Sequence, residues 1–167
     1  RSKGAEIDFN LSTGETVTVF TTRPDTLFGA TYLVLAPEHK LVTQNQSNIT
    51  NWDDVSSYIA ISKQKDEQDR LDATKEKTGV KLEGISATNP ASGEQIPVYI
   101  SDYVLATYGT GAIMAVPAHD ERDNAFAKKF NCEILAVIKP PSLSTTISEI
   151  YTESGVLINS GEFDGMD

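Results

Sequence analysis

Polar and apolar residues alternate from Ala5 to Leu11, with Ile7, Phe9 and Leu11 on one face, and again from Glu15 to Thr22, with Val17, Val19 and Thr21 aligned. Strand side chains point to opposite faces in turn, so both runs predict half-buried strands, and Thr13-Gly14 between them predicts a hairpin turn. Pro24 ends the second run, and residues 25–29 predict a short turn or one helical turn. Residues 31–36 form an apolar, β-branched and aromatic stretch that predicts a third strand. Pro37 is expected to open a helix, with Glu38 in its first turn and Leu41 and Val42 inward. Residues 45–51 are polar and loop-like, and a longer helix is expected from about Asp53 to Lys65, burying Val55, Tyr58, Ile59 and Ile61. The charged stretch 70–76 reads as a solvated helix or loop.

Short strands are expected at 80–82, 85–87, 95–100, 112–116 and 133–138. The clearest helix spans 120–130. Asp120 can cap it, Glu121 and Asp123 suit the positive first turn, Lys128 and Lys129 suit the last, and Phe126 and Phe130 share a face. From Tyr151 onward the glycines at 155, 161 and 165 suggest a linker or half of an unfinished contact. Together the pattern predicts an α+β fold with a compact β-barrel-like core of short strands and several peripheral helices.

Composition narrows the functional classes. At 167 residues, 39% hydrophobic and 23% charged, the chain suits one globular domain with a full core. No apolar run reaches the roughly 18–20 residues needed to span a bilayer, and no signal-like pattern is visible, so no membrane partner is expected. Cys132 is the single cysteine, which excludes an internal disulfide and suits a cytoplasmic setting. A net charge of −10 makes the chain a poor grip for a polyphosphate body, although one terminal nucleotide could still enter a pocket.

Two blocks about eighty residues apart carry most of the candidate chemistry: Thr21-Thr22-Arg23-Pro24-Asp25-Thr26-Leu27-Phe28-Gly29, and Gly109-Thr110-Gly111-Ala112-Ile113-Met114-Ala115-Val116-Pro117-Ala118-His119-Asp120-Glu121-Arg122-Asp123. The first places hydroxyls, a guanidinium and a carboxylate at a strand exit; the second runs from a glycine turn through an apolar strand into an acidic helix start. Brought together they would make an apolar cup with hydroxyl donors on one rim and a carboxylate on the other. Such a cup suits a substrate with an α-ammonium, a small aliphatic side chain and an ester. Each piece also has a plainer reading: threonines favour strand ends, Met114 and Val116 favour cores, and Asp123 complements a helix dipole. His119-Asp120 with His39 is a poor match to zinc-ligand spacing, and no nucleophilic Ser or Cys motif accompanies His119.

Taken together, the blocks resemble the editing domain inserted into leucyl-tRNA synthetase of the bacterial or organellar type. The resemblance runs over essentially the whole chain, from Arg1-Ser2-Lys3-Gly4-Ala5-Glu6 to Leu157-Ile158-Asn159-Ser160-Gly161-Glu162-Phe163-Asp164-Gly165. It implies one domain over residues 1–167, set into a larger class I synthetase. The implied reaction is hydrolysis, by a positioned water, of the ester of tRNA-Leu mischarged with norvaline, isoleucine or methionine, with leucine excluded. On this resemblance Asp123 binds the α-ammonium, Thr26 crowds out the branched γ-carbon of leucine, and Met114 and Val116 line the same pocket. Thr21, Thr22 and Arg23 lie near the ester and terminal ribose, with Thr22 holding the water or the oxyanion. Tyr108 and the backbone around Leu105 face the terminal adenosine, and His119 belongs to the substrate-binding set. Editing needs no cofactor or metal on this reading; ATP and magnesium would belong to the synthetic domain. The expected partners are the 3′-terminal adenosine of tRNA-Leu and the rest of the parent synthetase, with the domain alone monomeric. Two alternatives stay open: a non-catalytic β-barrel module that binds the aminoacylated 3′ end or a partner protein, and a metal-dependent hydrolase using His119 and Asp120.

Overall fold

The computed structural model describes residues 3–72, 74–141 and 150–167. The alternating runs form an antiparallel hairpin of β1 (Ala5–Leu11) and β2 (Thr16–Thr21), in which Ile7 faces Val19 and Phe9 faces Val17. Phe9, Val17 and Val19 are buried, so the period-two pattern delivers one face to the core as expected. Among the described residues a six-stranded sheet forms in the order β2-β1-β4-β5-β3-β6, with β3 at Tyr32–Leu35, β4 at Val80–Thr88, β5 at Gln95–Ile100 and β6 at Ala112–Ala115. β3 runs parallel to β5 and antiparallel to β6.

β3 is buried on both faces, and this divides the interior in two. Leu33 and Leu35 join the main core with Phe9, Val19, Leu82 and Ile100. Tyr32 and Val34 face a second, aromatic core with Tyr99, Tyr103 and Phe126. That second core seats α4 (Glu121–Phe130) against the sheet through Phe126, whose ring stacks 5.4 Å from that of Tyr32. Asp120 caps α4 as the sequence predicts, its Oδ1 accepting the Arg122 and Asp123 N–H groups at 2.9 and 3.0 Å.

Several expectations need correction. The sheet is mixed α+β architecture but not a closed barrel: β2 and β6, the ends of the strand order, come into contact without a hydrogen-bonded ladder. The two strands expected at 80–82 and 85–87 are one strand, β4, whose register shifts between Lys81 and Ser86. Gly84 sits in that shift at φ +96, and a Cβ there would strike the Asn48 carbonyl. Pro37 does not open a helix; α1 covers Lys40–Gln44, and His39 caps it by accepting the Leu41 N–H at Nδ1, 3.1 Å away. In α2 (Trp52–Lys63) Val55 and Ile59 are buried, but Ile61 is 56% exposed and Ser62 takes the inward position. Ser62 can do so because its hydroxyl donates to the Tyr58 carbonyl one turn back.

The charged stretch after α2 is not simply solvated. Arg70, in α3 (Glu67–Leu71), has a largely buried side chain that pairs with both oxygens of Glu38 and donates to the Asp102 and Val104 carbonyls. The strand expected at 133–138 shrinks to β7 (Ile138–Lys139), and the glycine-rich tail is its partner, β8 (Val156–Leu157), rather than a linker. No helix among the described residues is long and apolar enough to cross a membrane.

Candidate active site

A cavity of about 160 Å³ opens where the ends of β2 and β6 face each other. Both motif blocks reach it. Thr21, Thr22, Arg23 and Thr26 come from the β2 exit and the 3-10 turn Pro24–Gly29; Met114, Val116, His119 and Asp123 come from β6 and the start of α4. Tyr108 completes the set from the turn before β6. Engineered cavities of about 150 Å³ take up benzene, so this space is large enough for an amino-acid side chain. Leu105 lies outside the lining, its carbonyl accepting the Tyr108 N–H at 3.2 Å. A roomier hollow of about 520 Å³ beside Phe28, Tyr99, Phe130 and Cys132 contains none of the expected residues.

The three threonines differ in what their hydroxyls are free to do. Thr21 Oγ1 accepts the Arg23 N–H at 2.9 Å, and Thr26 Oγ1 donates to the Arg23 carbonyl at 2.7 Å. Thr26 is buried on the cavity wall, its hydroxyl committed to the Arg23 carbonyl. Thr22 is exposed, with no hydrogen bond to another of the described residues. Its hydroxyl is free both to donate and to accept, that of Thr21 keeps its proton to donate, and only Thr26 has spent its proton on the backbone. Arg23 is held by a forked pair to Asp25, Nε and Nη2 reaching separate oxygens at 3.2 and 3.1 Å.

Asp123 is buried at the cavity's other side. The Val116 N–H donates to its Oδ2 at 3.0 Å, and the Tyr103 hydroxyl donates to its Oδ1 at 2.9 Å. Burial, reinforced by the neighbouring charge of Asp120, raises its carboxyl from the usual range to about 7, against the lowering effect of those two donors. A buried carboxylate with lone pairs to spare is poised for a cation.

His119 touches the cavity but has no free nitrogen. Its Nε2 accepts the Val137 and Ile138 N–H groups at 2.9 and 3.1 Å, so Nδ1 carries the proton and donates to the Tyr151 carbonyl at 2.7 Å. Burial lowers its pKa and keeps the ring neutral. It is a bolt joining the β6–α4 turn to β7 and the tail, and a poor candidate for proton transfer or metal ligation. His39 is likewise engaged as a cap. Among the described residues no group of three or more His, Cys, Asp or Glu side chains converges as a metal site.

Sequence reasoning assigned no role to three lining residues, Phe20, Ile113 and Arg122, and considered Asp120 only as a helix cap or a metal ligand. Phe20 was detectable as the β2 residue before the threonines; its ring meets Tyr108 edge-on at 6.4 Å. The turn between Tyr108 and β6 passes close to it, since a Cβ on Gly109 (φ +58) would lie 3.1 Å from Phe20 Cβ.

Comparison with known proteins places the chain in a family. Residues 1–167 match the family described as leucyl-tRNA synthetase, editing domain. The leucine–tRNA ligase of Alkaliphilus oremlandii is 50% identical over 166 residues, covering 99% of this chain and 21% of that protein. That of Rubrobacter xylanophilus is 54% identical over 166 residues, covering 99% of this chain and 20% of that protein. The chain thus spans about a fifth of these curated relatives. A crystal structure of the Agrobacterium radiobacter K84 LeuRS–tRNA–LeuAMS ternary complex superposes with a TM-score of 0.70 at 32% identity, over 89% of this chain and 17% of that one.

Proposed function

The chain belongs to the leucyl-tRNA synthetase editing-domain family, and from that premise we propose that its cavity hydrolyses the ester of tRNA-Leu charged with norvaline, isoleucine or methionine while sparing leucine. The observation that carries this reading is the placement of buried Asp123 and buried Thr26 on the wall of one side-chain-sized cavity. The need for such a site is physical. A synthetic pocket discriminates one methylene by only about 1–3 kcal/mol, so near-isosteres of leucine slip through and require a second sieve.

In this reading the substrate's α-ammonium pairs with Asp123, a charge-assisted contact that fixes the aminoacyl group. Its side chain extends along Met114 and Val116 until it meets Thr26, where a chain unbranched at its γ-carbon fits and the forked end of leucine does not. The ester carbonyl then lies toward the β2 exit. The open hydroxyl of Thr22 orients a water or stabilises the oxyanion, while Thr21 and Arg23 border the ribose and Tyr108 the adenine. Water adds to the carbonyl, the tetrahedral intermediate collapses, and the bond to the ribose oxygen breaks as that oxygen takes up a proton. An aminoacyl ester is already reactive, so orientation and oxyanion donors suffice without an enzyme nucleophile. The rest of the synthetase holds the tRNA body that this acidic surface would repel.

Protonation sets the pH window. The Asp123 carboxyl titrates at about 7 in the free protein, and the substrate amine loses its proton near pH ~8. The rate at low substrate is therefore bell-shaped, peaking between the two.

Two substitutions in the full-length enzyme test the assignment. Asp123→Ala is expected to lower deacylation of mischarged tRNA by at least about a hundredfold, the loss of a buried charged hydrogen bond and its orientation. Thr26→Ala is expected to hydrolyse correctly charged leucyl-tRNA, measured as loss of labelled leucine. Near-normal editing in the first, or full protection of leucine in the second, removes that residue from its role.

A further inference from the structure

Two tyrosine phenols converge on Asp123 and reach different atoms. Tyr103, from the connection between β5 and β6, donates to Oδ1 at 2.9 Å; Tyr32, in β3, donates to the main-chain carbonyl at 2.7 Å. Only the first is bonded to the carboxylate. With the Val116 N–H on Oδ2, the Tyr103 bond puts one donor on each oxygen, and two donors on two oxygens fix the plane of the group.

Tyr103 is itself firmly placed. It is 5% exposed, its ring lies 5.9 Å from that of Phe126, and the Lys77 ammonium stands 5.5 Å from its centroid. It lies outside the cavity lining, so it can act on a ligand only through Asp123. Burial, and next the charge of Asp123, push its phenol far above the usual range, so it remains a donor at all working pH.

We propose that Tyr103 is the positioning residue that holds the Asp123 carboxylate turned to receive the substrate ammonium; the proposal rests on the editing reading of the cavity. The groups bearing on Asp123 come from each element packed against it. Asp120 at the N-cap and Arg122 in the first turn of α4 oppose each other, Tyr103 and the Val116 N–H favour the charged form, and Tyr32 bonds the Asp123 backbone while its phenol lies within reach of the Tyr103 phenol. Without Tyr103, the desolvation of the carboxylate and the repulsion from Asp120 lose one of their counterweights.

The test is Tyr103→Phe in the full-length enzyme, assayed with mischarged tRNA across pH 6 to 8.5. KM at pH 7 rises about tenfold, kcat stays within about twofold, and the acidic limb of the profile moves up by about one pH unit. Tyr32→Phe, which deletes the bond to the main-chain carbonyl of the same residue and touches the carboxylate only by way of Tyr103, moves that limb by less than half as much. Replacing Tyr103 with 3-fluorotyrosine keeps ring and hydroxyl, strengthens the donor and moves the limb downward, which covers the case of a poorly folding phenylalanine variant. Carbon NMR of the Asp123 carboxyl reads the same shifts without substrate. The proposal is overturned by a limb and carboxyl midpoint unchanged in Tyr103→Phe, by an equal shift in Tyr32→Phe, or by a fall in kcat with KM untouched. If the wild-type enzyme fails to deacylate mischarged tRNA while the carboxyl midpoint still moves in Tyr103→Phe, the editing reading has failed and the hold of Tyr103 on Asp123 stands.

Discussion

Asp123 is held in the folded chain at a cost that depends on pH. Its carboxyl titrates at about 7 when folded and at about 3.9 when unfolded. Between those values the native state binds the extra proton, so the contribution of this residue to stability falls as pH rises through that window and levels off above it. Asp123→Asn keeps an acceptor for the Val116 N–H and can donate to the Tyr103 oxygen, while removing the charge. Its melting temperature should therefore exceed that of the wild type by a margin that grows from pH 4.5 to 7, corresponding to a few kcal/mol at most. A margin independent of pH would show that the native carboxyl is not raised. The candidate carboxylate and Thr26 were legible in the sequence because each sits in a motif. Tyr103 and Tyr32 were not, because their phenols arrive from elements 20 and 91 residues away, a separation that no local pattern encodes.

At the scale of elements, strong periodicity was the reliable guide. The β1–β2 hairpin and the capped α4 follow from alternation and from Asp120 respectively. Elements set by tertiary partners escaped it. Arg70 reads as solvated until Glu38 and the Asp102 and Val104 carbonyls surround it, and β7 is short because its partner lies in the tail. β4 reads as two strands because Gly84 interrupts the pattern, whereas the glycine lets one strand shift register beneath the Asn48 carbonyl. Gly84→Ala combines a strained φ with a clash against backbone, and should cost at least about 1–3 kcal/mol, read from the denaturation midpoint. An unchanged midpoint would mean that the β4 register shift is not fixed by this residue.

For the whole molecule, the decisive feature is a sheet that curls without closing. The contact between β2 and β6 leaves their ends facing, and the cavity occupies that seam. The expectation of a barrel came from counting short strands; strand order, which decides closure, is not written in local periodicity. A net charge of −10 fits a body that receives only a terminal nucleotide and leaves the phosphate backbone to other surfaces. In the function proposed above, one cavity grips an α-ammonium at Asp123 and measures side-chain shape at Thr26. A crystal structure with a non-hydrolysable norvalyl-adenosine analogue tests it directly. The ammonium is expected within about 3 Å of an Asp123 carboxylate oxygen, with the end of the side chain against Thr26. A ligand bound with its ammonium turned away from Asp123, or seated outside this cavity, would contradict it.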